Sequence, residues 1–184
     1  MGRDKAGLVV NGEALGQRTA ALLLQVAHPV LEVGPGHTTL PATSEDPPGS
    51  GPLAALAAGG RALRGLHHRG ATLVVATDLP RLTLGFLQLL AEHADTDPDA
   101  SVVPRDSRLR PQPLCARYSP AALAAAERLV ADGQRAMTAL LTCVPVVWLD
   151  RASTAGAGPM GDPTPLLDVD TPDDLAAFER AMPS

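Results

Sequence analysis

The stretch Ala71-Thr-Leu-Val-Val-Ala-Thr-Asp-Leu-Pro80 decides how the rest of the chain is interpreted. Its apolar first part is typical of a strand buried on both faces, and it ends abruptly in Thr77-Asp-Leu-Pro80. Near the end of the chain Leu166-Leu-Asp-Val-Asp170 runs in the same way into Thr171-Pro-Asp-Asp-Leu175. Ligands of an open α/β sheet lie outside the carboxyl ends of its strands. Two predicted strand ends therefore place carboxylates where they can bind a metal ion that is held by a phosphate.

Helical and strand patterns alternate on both sides of this stretch. Nearly continuous apolar strands joined by short connections are typical of an α/β fold with a mostly parallel sheet covered by helices on both faces. The long segments 34–51 and 152–165 are rich in Gly and Pro and are predicted to be loops. The pattern predicts helices over 15–27, 53–64, 82–94, 119–132 and 135–141 and from Thr171 onward, and strands over 30–33, 71–76, 101–104, 113–118 and 144–149.

Two of these helices carry their own start signals. Ser119 is a good N-cap with Pro120 at the first helical position, and Gly133 follows the end of that helix. Thr171 caps the last helix in the same way, with Pro172 in its first turn and Asp174 at the place of a capping-box acid.

Length and composition indicate one domain spanning residues 1–184. A chain of 184 residues with 45% apolar residues can bury one sizeable core. Aromatic residues make up only 2%, so rows of rings for stacking nucleobases are not available. The formal net charge of -5 also disfavours nucleic-acid binding, because proteins that bind the phosphate backbone normally carry a basic excess. An anionic substrate must then be held by local positive charge or by a metal.

The cysteines and the N-terminal sequence indicate the cellular compartment in which the protein works. Cys115 and Cys143 lie in apolar sequence at no metal-site spacing, which favours small core side chains in a reducing compartment over a disulfide framework. No stretch has the length of a membrane span, and no signal-type apolar region follows Met1-Gly-Arg-Asp-Lys5. We expect a cytoplasmic protein without membrane association.

Six short motifs follow one another along the chain. They are Met1-Gly-Arg-Asp-Lys-Ala6, Asp46-Pro-Pro-Gly-Ser-Gly-Pro-Leu53, Thr77-Asp-Leu-Pro80, Gln112-Pro-Leu-Cys-Ala-Arg-Tyr118, Gly133-Gln-Arg135 and Asp170-Thr-Pro-Asp-Asp-Leu175. Each motif alone is weak, but their common order is fairly specific, and it resembles the molybdenum cofactor guanylyltransferase family. These enzymes are nucleotidyltransferases with a Rossmann-like fold of the glycosyltransferase-A type, and the resemblance covers essentially the whole chain.

The chain departs from the family at two places. In the family a first strand and a Leu-Ala-Gly-Gly loop precede the Met-Gly-x-Asp-Lys segment, whereas here Met1 stands at that point. We expect that this strand and loop are missing, which would leave neighbouring strands with unpaired backbone groups and expose apolar helix surface. The family also tends to place Asn at the end of the second strand, where this chain has Val33-Gly34.

The resemblance implies a reaction and its partners. The terminal phosphate of molybdopterin would attack the α-phosphate of GTP, giving the guanine dinucleotide cofactor and pyrophosphate. It also implies Mg²⁺ as the cofactor and transient contact with molybdoenzymes or their chaperones. An ionised phosphate is already a nucleophile, so the protein must supply alignment and charge neutralisation rather than a base.

The resemblance also assigns metal and triphosphate residues. Asp78 is the expected Mg²⁺ ligand and Asp170 a second one, while Lys5 would lie against the triphosphate with Arg3 assisting. Plainer interpretations stay open for all three residues. Asp78 could cap the helix near Leu82, and Asp170 could interact favourably with the dipole of the helix that follows it. Lys5 could simply be solvated, as a lysine near a chain terminus usually is.

Nucleotide contacts are expected from the segment that holds Asp46, Gly51 and Pro52. The Asp46 carboxylate could accept hydrogen bonds from guanine N1 and N2, since both groups are donors. The segments that begin at Gly51 and Gln112 look more like guanylyl than cytidylyl enzymes.

The sequence gives weaker grounds for assigning a metal or phosphate site to the other charged residues. His67 and His68 lack partners at ligand spacing and are expected in an exposed turn. Several arginines could hold the pterin phosphate or could simply be solvated. They are Arg105, Arg108, Arg110, Arg117 and Arg135.

Two other functions remain open at this point. Another nucleotidyltransferase of the same fold, acting on CTP or on a sugar phosphate, would be separated by comparing nucleotides. A non-catalytic accessory protein would bind nucleotide without releasing pyrophosphate.

Overall fold

The computed structural model describes residues 9–10, 12–93, 97–106 and 108–150. The first half contains β1 (Val9–Val10), β2 (Glu13–Ala14), α1 (Leu15–Leu23), β3 (Glu32–Val33), β4 (Ala42–Thr43) and α2 (Pro52–Gly65). The second half contains β5 (Thr72–Val75), α3 (Leu84–Glu92), β6 (Ser101–Pro104), β7 (Cys115–Tyr118), α4 (Pro120–Ala131), α5 (Met137–Cys143) and β8 (Val146–Leu149).

The main sheet has four strands in the order β5-β7-β6-β8. β6 and β8 are parallel, while β7 runs antiparallel to both β5 and β6, so β5, β6 and β8 share one direction. Their carboxyl ends therefore lie at one edge of the sheet. β3 and β4 form a separate parallel pair, and β1 and β2 a short antiparallel one. The fold is the predicted α/β class, with one antiparallel strand inside the main sheet.

Helices cover both faces of this sheet. One core cluster joins α2, α4 and α5 to the sheet through Val103 and Tyr118, which are fully buried. The other joins α3 to Val102 and Leu149, with the end of α1 packed against it. Burial of Tyr118 raises the pKa of its hydroxyl, which donates to the carbonyl oxygen of Pro113 at 2.8 Å. The core is built mainly from Leu, Ala and Val, as the composition requires.

The local signals for α4 are confirmed. The hydroxyl of Ser119 accepts a hydrogen bond from the Ala122 N–H at 3.2 Å, and Pro120 begins the helix. Gly133 adopts φ 84°, a conformation that suits glycine after a helix end. At α3 the cap is Thr83, whose hydroxyl accepts from the Phe86 N–H. The interpretation of Asp78 as the cap of this helix is therefore wrong.

Several element boundaries differ from the predictions. The helix predicted over 15–27 ends at Leu23, although backbone hydrogen bonds continue to Ala27. The segment 34–51 contains β4, which the sequence did not predict, because two residues give no detectable alternation. The predicted helix from Thr171 lies outside the described residues. Within the described ranges no helix is long and apolar enough to cross a membrane.

Candidate active site

A cavity of about 770 Å³ opens between β5, the β3–β4 pair and the helices α1 and α2. Its helix walls are apolar and include Leu23 of α1 and Leu56 of α2. Gly59 lets α2 approach β3, since a Cβ at this position would lie 3.0 Å from Val33 Cγ2. The cavity therefore runs alongside β5 and reaches its carboxyl end.

The edge of β5 that borders the cavity is not completed by the described part of the chain. There β5 pairs with β7 alone, and all four of its residues are only half-buried. The Thr72 hydroxyl oxygen is buried and has no hydrogen-bond partner among the described residues. The expectation of a missing strand beside β5 stays a prediction, because residues 1–8 lie outside the described residues.

Asp78 lies where the sequence predicts it, just beyond the carboxyl end of β5 and in the wall of the cavity. The turn that carries it is rigidly anchored, because Leu79 and Pro80 are buried directly after it. On the strand side, the Ala76 N–H donates to the Leu114 carbonyl oxygen. Asp78 is half-buried and lines a cavity large enough for a ligand.

A second wall of the cavity is the loop after β3. Pro35, His37 and Thr38 border the cavity. The Glu32 carboxylate on β3 accepts three backbone hydrogen bonds from this loop, at 2.8–2.9 Å. Sequence reasoning missed Glu32, although a single acid inside Val30-Leu-Glu-Val33, followed by Gly-Pro-Gly, was a visible signal.

The segment before α2 is placed partly as predicted. Pro52 begins α2 and borders the cavity, and Gly51 precedes it with φ 93°, a conformation that favours glycine. A Cβ on Gly51 would lie 3.7 Å from the Arg135 carbonyl oxygen, so this turn touches the segment after α4. Asp46 is solvent-exposed in the loop before α2. Of the three predicted residues in this segment, Pro52 borders the cavity, whereas Asp46 and Gly51 do not.

Most of the candidate arginines are engaged elsewhere. The Arg110 Nε lies 2.6 Å from an Asp106 carboxylate oxygen, and the Arg135 guanidinium donates to the carbonyls of Val130 and Gln134. Backbone N–H groups also donate to Asp106, which keeps the pKa of its carboxyl below the ordinary value despite the opposing effect of desolvation. These contacts stabilise the local turns in which Arg110 and Arg135 lie.

Arg117 does border the cavity, but at the wrong end for a phosphate near Asp78. It pairs in register with Leu73, near the start of β5. The strand rises about 3.3 Å per residue, so Leu73 and Ala76 are already separated by about 10 Å. We therefore find no support for Arg117 as a phosphate ligand beside Asp78.

Arg105 forms a separate cluster at the same edge of the sheet. Its guanidinium lies 3.8 Å from Asp150 and 4.1 Å from the Trp148 ring centroid. Asp150 follows β8, which is three strands away from β5. At about 4.8 Å per strand the separation is about 14 Å, too far for Asp150 and Asp78 to share one ion.

The remaining predicted residues have mixed outcomes. Arg3, Lys5 and Asp170 lie outside the described residues. Cys115 is buried as expected, but Cys143 is exposed at the end of α5, so its prediction as a core side chain is wrong. Among the described residues, no three His, Cys, Asp or Glu side chains form a group that could hold a metal.

Comparison with known proteins identifies the family. Residues 1–146 match the MobA-like NTP transferase domain. The chain belongs to this family. A probable molybdenum cofactor guanylyltransferase of Chloroflexus aggregans is 35% identical over 194 aligned positions, covering 98% of this chain and 88% of that protein. A protein of the same name from Mycobacterium tuberculosis is 33% identical, covering 93% and 83%. Membership makes the chain a nucleotidyltransferase-family protein linked to molybdenum cofactor biosynthesis.

Solved structures confirm the fold. The molybdopterin-guanine dinucleotide biosynthesis protein A of Archaeoglobus fulgidus superimposes with a TM-score of 0.70 at 22% identity, covering 97% of this chain and 90% of its own. The 2-C-methyl-D-erythritol 4-phosphate cytidylyltransferase of Thermus thermophilus gives 0.63 at 20% identity, covering 96% and 92%. The MobA-like family and its nucleotidyltransferase fold are thus shared by this chain.

Proposed function

We propose that this protein transfers GMP from GTP to the terminal phosphate of the molybdenum cofactor in the cytoplasm. The observation that carries the proposal is the position of Asp78, beyond the carboxyl end of β5 and on the wall of a ligand-sized cavity. Family membership supplies the reaction type. The names of the curated relatives favour GTP and the molybdenum cofactor as substrates.

The chemistry is a single phosphoryl substitution. An oxygen of the cofactor's terminal phosphate forms a bond to the α-phosphorus of GTP, and the bond from that phosphorus to the bridging β-phosphate oxygen breaks. Pyrophosphate leaves with the electron pair of that bond. The attacking oxygen is already anionic, so the protein needs to align the two phosphates and offset their charge.

Asp78 fits a role in holding Mg²⁺. This ion usually takes one or two carboxylates, with waters and substrate phosphates completing its octahedron, so the lack of a three-residue cluster in the described ranges does not argue against it. Mg²⁺ would supply charge neutralisation to the phosphates when bound. Asp170 is the proposed second ligand.

The other proposed roles follow the substrate outward from the reacting phosphates. Lys5 and Arg3 would face the triphosphate. Gly51 and Pro52 would line the nucleotide site, and the exposed Asp46 would accept hydrogen bonds from guanine N1 and N2.

We also propose that one further strand pairs with β5 in the complete site. Within the described ranges β5 pairs on one side only, the Thr72 hydroxyl has no hydrogen-bond partner, and apolar helix faces border the cavity, and these three features support the proposal.

Asp78→Asn tests the central assignment. It keeps the shape of the side chain but removes its charge, so we expect Mg²⁺-dependent pyrophosphate release to fall about a hundredfold or more. Asp132→Asn is the matched control, because Asp132 is exposed at the end of α4 and does not border the cavity. Both variants should keep the thermal midpoint of the unsubstituted protein. Full activity of Asp78→Asn would remove the assignment.

A further inference from the structure

The Glu32 carboxylate holds the loop 34–38 through hydrogen bonds from the loop backbone. Its Oε1 accepts from the backbone N–H groups of Gly36 and His37 at 2.9 and 2.8 Å, and its Oε2 accepts from that of Thr38 at 2.8 Å. Three consecutive N–H groups thus converge on one side chain. Without it they would lose these charge-assisted hydrogen bonds, which are stronger than those to neutral acceptors.

The electrostatics of this arrangement favour the ionised acid. Desolvation works against the charge, but the hydrogen bonds from His37, Thr38 and Gly36 outweigh it and keep the pKa of Glu32 below its ordinary value of 4.5. At neutral pH the carboxylate is therefore charged and fully engaged by the loop. It has little capacity left to bind another cation.

The loop is fixed at its base as well as at its tip. At the base, the Glu32 N–H donates to the Pro41 carbonyl oxygen and the Gly34 N–H donates to that of Thr43. In between, Gly36 adopts φ 86°, which lets the chain turn so that its N–H groups point at the carboxylate. Among the described residues, the Glu32 side chain holds the tip in this shape through three hydrogen bonds.

This loop is a wall of the proposed nucleotide site. Glu32, Pro35, His37 and Thr38 border the same cavity as Asp78. The negative charge of Glu32 in this wall disfavours phosphates there, since like charges repel. Phosphates are better placed at the Asp78 end, where a metal ion can offset their charge. The wall is therefore suited to the uncharged nucleoside part.

We propose that Glu32 is a positioning residue that fixes the loop 34–38 as the wall against which the nucleoside part of the nucleotide lies. The inference rests on the proposed nucleotidyl transfer and adds a determinant of nucleotide affinity. Glu32 acts through the loop backbone and does not touch the reacting phosphates.

Glu32→Gln is the test, because it keeps the length of the side chain but replaces one acceptor oxygen with a donor. That amide then faces an N–H of the loop, and the loop tip is released. We expect the backbone amides of 36–38 to exchange hydrogen at least about tenfold faster, and the dissociation constant for GTP with Mg²⁺ to rise about tenfold. The turnover number at saturating GTP should stay within about twofold, because the phosphate end is untouched. Glu92→Gln, at an exposed position ending α3, is the control and should change neither quantity.

Each outcome decides the inference separately from the proposed function. Faster exchange with unchanged GTP affinity would overturn it, leaving Glu32 a purely structural residue, and so would unchanged exchange. Wild-type protein that binds GTP but transfers nothing to the cofactor would contradict the proposed function, while the affinity ratio of the two proteins would still decide the role of Glu32. Wild-type protein that binds no GTP would overturn both.

Discussion

Two neighbouring parts of the sheet differ sharply in how completely they are built. All four residues of β6 are buried, and the strand has partners on both sides, β7 and β8. All four residues of β5 are only half-buried, and within the described ranges this strand pairs with β7 alone. The contrast shows that the half around β6 provides the stable scaffold. The half around β5 is less completely packed within the described ranges, and the cavity beside it reaches Asp78.

Completing β5 should produce the largest change. We expect an apolar five-residue strand, fused ahead of Met1 through a glycine-containing loop, to pair with β5 and fill the cavity wall. A net gain of about 3 kcal/mol would raise the thermal midpoint by about 6–12 °C for a domain of this size. Calorimetry gives the midpoint, and hydrogen exchange of the β5 amides locates the pairing.

The control for this experiment is the same extension with two central prolines. Proline cannot donate to a strand ladder, so this version should leave the midpoint and the exchange rates unchanged. Equal effects of the two extensions, or no effect of either, would contradict the idea that β5 lacks a partner.

A smaller effect should distinguish Val103 from Val74, which lie on β6 and β5 and contact the same core cluster. Val103 is fully buried, so Val103→Ala should lower the free energy of unfolding by about 2 kcal/mol through lost burial and a residual cavity. Val74 borders the open cavity and already lacks close neighbours on one side. Val74→Ala should cost less than about 1 kcal/mol. Urea unfolding of both variants measures the difference, and equal losses would show that β5 is packed as tightly as β6.

The parts of the fold that the sequence predicted are those with local causes. Ser119 and Pro120 specify a helix start through neighbouring backbone atoms, and the structure confirms it. The position of Asp78 followed in the same way from an apolar run that ends at once in a polar turn. The final helix from Thr171 and the roles of Lys5 and Asp170 stay predictions.

The parts that were missed depend on contacts between distant segments. β4 exists only because Ala42 and Thr43 pair with β3, and two residues show no periodicity. The exposure of Cys143 follows from which face α5 turns to the core. None of these contacts leaves a signal in a short window of sequence.

The site itself shows the same limit. The motifs suggested which residue types matter, but not that the Glu32 carboxylate would gather the N–H groups of the loop 34–38. Likewise, basic residues near the hairpin suggested a phosphate site, whereas Arg110 pairs with Asp106 and Arg117 lies at the far end of β5. The sequence shows that a residue is charged, but it does not show which group its side chain will contact.

The most direct test of the central claim is pyrophosphate release with Mg²⁺ and molybdenum cofactor, measured side by side with GTP and with CTP. Both nucleotides are tested with the 184-residue chain and with the same chain carrying the added strand. We predict release with GTP, strongest in the extended protein, and little with CTP. Release with CTP in preference to GTP, or none with either nucleotide in both proteins, would contradict the assignment as a molybdenum cofactor guanylyltransferase.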